Sequence, residues 1–85
     1  MEKETGKVIH YWGKISVAGI NITEGELKAG DVIHIKGHTS DFNQKVDSIQ
    51  IENNDVEKAK IGDSIGIKVK ERVHEHDTVY LVTEE

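Results

Sequence analysis

Apolar residues fall at every second position in three short stretches, and an aspartate introduces each one. Asp31-Val32-Ile33-His34-Ile35, Asp63-Ser64-Ile65-Gly66-Ile67 and Asp77-Thr78-Val79-Tyr80-Leu81 share the pattern. Period-two alternation places Ile33 with Ile35, Ile65 with Ile67, and Val79 with Leu81 on one face of a strand each. Gly30 and Gly62 stand directly before the first two aspartates. Glycine takes the positive-φ conformations of a tight turn, and an aspartate carboxylate accepts a hydrogen bond from a free turn amide. Gly30, Asp31, Gly62, Asp63 and, in the same motif, Gly66 are therefore the expected structural turn residues.

Three further extended stretches complete the chain. Residues 6–12 are rich in Val, Ile, Tyr and Trp and read as the first strand. Residues 15–22 read as the second. Their apolar positions change parity between Val17 and Ala18, which predicts a bulge or a strand buried on both sides. Residues 42–52 read as a long strand bent near Asp47 and Ser48. With 31–36, 64–69 and 78–82 this makes six strands. Residues 53–60 read as one short helical turn or an irregular loop. Residues 1–5 read as a frayed charged end and 83–85 as a tail, leaving one domain over 6–82. Without proline, the sheet edges are managed best by closure. The expected fold is all-β, a six-stranded closed antiparallel β-barrel.

Composition narrows the function classes. Hydrophobic residues make up 35% of the 85 positions, enough for a single economical core. The formal charge of −5 argues against a DNA binder or an anionic-membrane binder, either of which would present a broad basic face. The absence of cysteine excludes disulfides and thiolate metal sites. No apolar run approaches the ~18 residues of a membrane helix. Met1-Glu2-Lys3-Glu4 lacks the apolar core of a signal peptide, so a cytoplasmic setting is expected.

Candidate chemistry is sparse. His74 and His76 share one face of an extended segment, yet two imidazoles do not fill a tetrahedral metal site and no third ligand is placed by spacing. No serine lies in a Gly-x-Ser-x-Gly elbow, and Gly62-Asp63-Ser64-Ile65-Gly66 lacks the lysine of a phosphate loop. A non-enzymatic chain with no cofactor and no metal is expected. Lys68 and Lys70 alternate with Ile67 and Val69, so both leave the sheet on one face, either as solvated surface or as partners for RNA phosphate. Tyr11 and Trp12 are adjacent and face opposite ways in a strand. One is expected inside with the other exposed beside lysines, core packing of both being the plainer alternative.

Residues 45–51 and 59–67, taken together, resemble paired motifs in domain 2 of the translational GTPases such as elongation factor Tu. The similarity extends over about residues 6–82, including Gly6-Lys7-Val8 and residues 24–31. It also resembles small translation elongation factor-like proteins and a similar barrel appended to some U32-type peptidases. The resemblance implies a six-stranded barrel without the GTPase domain. It also implies RNA contacts at the end of the fourth strand and the start of the fifth, here Gln50, Glu52, Ser64, Lys68 and Lys70. At four of these the residue type departs from the aminoacyl-tRNA carriers: Gln50 replaces an acid, Glu52 a histidine, Ser64 an asparagine and Lys70 an arginine. The leading expectation is a non-catalytic translation-associated module that contacts tRNA or ribosomal RNA. The alternative is a protein-interaction or oligomerisation β-barrel that docks to a separate enzyme without binding RNA.

Overall fold

A computed structural model describes residues 2–83. Ten strands form among them: β1 (Glu2–Trp12), β2 (Val17–Ile22), β3 (Glu26–Lys28), β4 (Val32–Lys36), β5 (Asp41–Lys45), β6 (Ile49–Ile51), β7 (Asn54–Val56), β8 (Lys58–Lys60), β9 (Ser64–Lys68) and β10 (Thr78–Val82). Eight make one antiparallel sheet in the order β5-β4-β10-β1-β2-β9-β6-β7, and β3 pairs with β8 apart from it. The all-β antiparallel reading holds. The ladders among the described residues run from β5 to β7 without a backbone pairing that joins the two ends, so the coarser description, an antiparallel sheet, is the one established.

The repeated aspartate device organises the sheet. Lys28 N donates to Asp31 Oδ2 at 2.8 Å, Lys60 N to Asp63 Oδ2 at 2.9 Å, and His74 N to Asp77 Oδ2 at 2.9 Å. In return the Asp31, Asp63 and Asp77 amides donate to the Lys28, Lys60 and His74 carbonyls at 3.1, 3.0 and 3.1 Å. The residue before each aspartate has positive φ: 98° at Gly30, 93° at Gly62 and 76° at His76. Each turn is thus a four-residue reversal whose third residue is left-handed and whose fourth closes the loop from both its backbone and its side chain. Glycine satisfies that geometry twice, and a histidine is held in it the third time.

Burial follows the alternation. Ile33, Ile35, Ile65, Ile67 and Val79 point inward and are buried, joined by Val8, Ile20, Ile22 and Ile49, while Leu81 packs partly buried against them. Burying each such side chain is worth roughly 1.5–3 kcal/mol against an exposed one. Leu27 and Ala59, central partners of the β3–β8 pair, join the same core.

Five local expectations are corrected. Residues 2–5 are not frayed: Glu2, Lys3 and Glu4 pair with Val82, Leu81 and Tyr80, and the Thr5 carbonyl accepts the Thr23 amide at 2.8 Å. Their charged side chains point to water, while the backbone holds them. Met1 and residues 84–85 of the tail lie outside the described residues. Ile15 is not in a strand; it sits exposed in the turn before β2, which accounts for the parity change. The bulges fall instead on β1, at Thr5 and Ile9.

Residues 42–52 divide into β5 and β6 around residues 46–48, where the bend is expected. Residues 53–60 carry neither helical turn nor irregular loop but two short strands, β7 and β8. Ile51 pairs with Asn54 across Glu52 and Asn53, whose φ values are 50° and 67°. That is a two-residue hairpin turn of the mirror-image kind, normally signalled by Asn-Gly. Last, Gly66 is not a turn residue, for it lies in the middle of β9.

The third turn carries a side chain where the other two have glycine, and left-handed backbone costs an ordinary residue roughly 1–2 kcal/mol. His76→Gly should raise stability by about 1 kcal/mol after glycine's greater freedom in the unfolded chain is counted. Gly62→Ala should lower it by a similar ~1 kcal/mol. Urea midpoints at unchanged slope measure both, and a lower midpoint for His76→Gly would remove the strain argument.

Candidate functional site

The outer face of the sheet has a gap in its side-chain cover. Gly19 on β2 pairs with Gly66 on β9, and Gly66 pairs in turn with Gln50 on β6. Two glycines side by side leave backbone as the floor of a groove. Trp12 lies against this floor: a Cβ added to Gly19 would stand 3.0 Å from its ring. His10 meets the indole edge-on, with ring centroids 4.4 Å apart at 64°.

One wall of the groove is Ile9, Trp12 and Ile15, which remain 49%, 46% and 58% exposed. The opposite wall includes Gln50, Glu52 and Ser64, and the groove encloses about 430 Å³. Three large apolar side chains left in water on one wall form an exposed apolar patch in a chain with few apolar residues. Tyr11, the neighbour of Trp12, packs partly buried against the core. Core packing of both, the plainer expectation for that pair, is corrected: Tyr11 packs against the core and Trp12 remains exposed.

The sequence-derived contact residues separate. Gln50, Glu52 and Ser64 line the Trp12 groove. Lys68 and Lys70 line a second groove, of about 440 Å³, with Gln44, Lys45 and Asp47. Gln50 donates to Asp55 Oδ1 at 3.0 Å, and Ser64 Oγ donates to Asn21 Oδ1 at 3.5 Å. Gln44 pins the second groove: its side chain donates to the Lys68 carbonyl at 2.8 Å and accepts the Lys70 amide at 2.9 Å.

His74 Nδ1 and Thr39 Oγ1 share a hydrogen bond of 3.2 Å, and His38, His74 and His76 border one shallow depression. Among the described residues, however, no three His, Asp or Glu side chains come together as a metal site would require.

A cluster that sequence reasoning missed joins β1, β4 and β5, also on outward-facing positions. His34 Nδ1 bonds Glu2 at 2.8 Å, and its Nε2 bonds Asp41 at 2.5 Å. Glu2 belongs to the end that reads as frayed and Asp41 lies between two expected strands, so nothing in the spacing joins them. The Glu2 hydrogen bond, followed by the Asp41 one, holds the His34 pKa above its ordinary value of 6.5. The bond from His34 holds Asp41 below its ordinary 3.8.

Fold and groove together define a small antiparallel β module with an exposed apolar groove. No family model matches the chain. It is 43% identical over 82 residues, 95% of its length, to an uncharacterised protease of Methanocaldococcus jannaschii, of which it covers 20%. It is 45% identical over 76 residues, 88% of its length, to a collagenase of Porphyromonas gingivalis, of which it covers 21%. The chain thus spans about a fifth of the length of the curated relatives it matches. The crystallised C-terminal domain of a U32 peptidase from Geobacillus thermoleovorans superposes with a TM-score of 0.88 at 19% identity, covering 95% of this chain and 93% of that one. A selenomethionine form of the same domain superposes at 0.85 with 20% identity.

The likeness to translation factors is therefore corrected. The matched relatives are named as proteases and collagenases and the solved neighbour is a peptidase domain, so the translation-associated and RNA-binding readings fall. The physical reason lies in the motif itself. Gly-Asp followed by alternating apolar residues occurs at two turns of this one chain, and the same hydrogen bonds recur at a third. It reports how a strand is restarted, not what the strand touches. Among the described residues no helix is long and apolar enough to cross a membrane.

The His34 cluster generates a pH dependence. The raised His34 pKa gives stability that is full below 6.5 and is lost as pH rises through the folded-state value. The lowered Asp41 pKa gives stability that is full above 3.8 and is lost as pH falls through its folded-state value. Thermal stability should therefore peak between those limits and decline toward pH 8. His34→Gln should flatten the alkaline decline, and an unchanged slope in that variant would contradict the assignment.

Proposed function

We propose that this chain is a non-catalytic protein-docking module that associates with a peptidase through the Trp12 groove. The observation that carries the reading is the exposed wall of Ile9, Trp12 and Ile15 over the Gly19–Gly66 floor, in a chain equivalent to one fifth of proteins named as proteases. The groove holds apolar, amide and hydroxyl groups with Glu52 as its one carboxylate, a lining suited to contact rather than proton transfer. The titratable cluster of Glu2, His34 and Asp41 lies on β1, β4 and β5, and its hydrogen bonds are engaged within the fold.

Residues 6–82 act in this reading as one unit whose sheet closes into a barrel. The support is that β5 ends one side of the strand order while β6, the next segment of the chain, lies one strand from the other side, and that Gln44 on β5 laces to the end of β9. A rigid barrel presents the groove without ordering cost at the moment of binding.

The test adds this chain to the Methanocaldococcus jannaschii protease from which the matching segment has been deleted. A nuclease-insensitive complex should form on size exclusion. Trp12→Ala should weaken it about tenfold or more, as expected of a buried aromatic anchor, while the far-ultraviolet spectrum stays that of the parent chain. Absence of a complex, or one that nuclease dissolves, would overturn the reading.

A further inference from the structure

We infer that the docking groove continues along the outside of β9 as a basic track, and that its occupant is an extended acidic polypeptide segment led by an apolar side chain. This rests on the docking reading and adds the chemistry of the partner.

The track follows from strand periodicity. Ile65 and Ile67 point inward and are buried, so Ser64, Gly66 and Lys68 point outward, and Lys70 continues the row beyond buried Val69. Ser64 and Gly66 belong to the Trp12 groove, Lys68 and Lys70 to the second one. Val17, which lines the first groove, pairs directly with Lys68, so the two grooves adjoin. With about 6.6 Å between alternate residues of a strand, Lys68 stands roughly 7 Å beyond the Gly66 floor, and Lys70 follows in the bend after β9.

Charge selects the occupant. Lys45, Lys68 and Lys70 gather in the second groove with Asp47 as its one acidic lining residue. Among the described residues, the side-chain ion pairs involve His10, His34 and Lys58, and none of these three lysines. The backbone beneath Lys68 and Lys70 is fixed by Gln44. Glu52 sits at the apolar end, so the surface runs from an acidic end through an apolar middle to a basic end.

In a chain of net charge −5, three unpaired lysines beside an exposed tryptophan are a local inversion of sign, which steers and orients an acidic partner. An extended segment lowers every second side chain toward the sheet. An apolar residue over Gly66 then places acids at the second and fourth following positions over Lys68 and Lys70.

Trp12 is the only tryptophan, so its fluorescence reports occupancy directly. The probes are two capped peptides, Leu-Ser-Asp-Ser-Asp and its counterpart Leu-Ser-Lys-Ser-Lys, titrated into the intact chain at low salt. The acidic peptide should change the Trp12 emission saturably and bind about tenfold tighter than the basic one. The double variant Lys68→Glu with Lys70→Glu should reverse that order. Equal affinities, preference for the basic peptide, no response to either, or displacement of the acidic peptide by an equimolar uridine oligonucleotide would each overturn the inference. If Trp12→Ala breaks the complex with the truncated protease while the lysine reversals leave it intact, the docking reading stands and the acidic segment falls.

Discussion

The reciprocal bond between an aspartate and the backbone three residues before it is the constraint on which the rest of this structure depends. It occurs at Asp31, Asp63 and Asp77, each time with a carboxylate taking one amide and the aspartate's own amide returning to the carbonyl. Because each turn launches a buried strand (β4, β9 or β10), the turn fixes the register as well as the direction. A slip of one residue would carry Ile33, Ile65 or Val79 to the wrong face. Three short polar contacts thus govern where most of the apolar surface goes. The carboxylate of Asp77 also fills space that a side chain at Gly37 would occupy, which ties the third turn to the end of β4.

The groove is a consequence of the same economy. A chain with 35% apolar residues covers a core with little to spare, yet leaves Ile9, Trp12 and Ile15 outside it. Gly19 and Gly66, placed opposite each other, remove the outward side chains that would otherwise fill the space under the indole. Neither glycine has positive φ, so backbone conformation does not explain them. Their effect is to let the indole of Trp12 lie close against the backbone of β2. The bulge at Ile9 adds to this, since it breaks the register between Val8 and His10 beside the groove.

Much of the fold was legible in the residues because it is written locally. Period-two alternation identified the strands at 64–69 and 78–82 to within a residue, and the Gly-Asp pairs marked two of the three turns. What stayed hidden depends on pairing across the chain. Glu2, Lys3 and Glu4 carry outward charged side chains, and the segment is held through backbone bonds to β10 and from Thr5 to Thr23, so composition alone reads it as loose. The β6–β7 hairpin turns through Glu52 and Asn53 without glycine, and its signal was accordingly absent. The candidate site was half legible. Gln50, Glu52 and Ser64 do meet, but their meeting point is defined by Trp12, Ile9 and Ile15, whose exposure no spacing rule reports. The resemblance to translation factors leaned on turn and strand motifs that belong to the scaffold, whereas the likeness to the barrel appended to U32-type peptidases agrees with the solved neighbour.

The central claim is that one face, built on β1, β2 and β9, receives a protein. Backbone amide shifts of the isotope-labelled chain, recorded as the truncated Methanocaldococcus jannaschii protease is added, test it most directly. The account predicts perturbations concentrated at residues 9–19 and 64–70, with the His38 and His74 end of the sheet unaffected. Perturbations centred on that other end, or a spectrum unchanged at saturating protease, would contradict it.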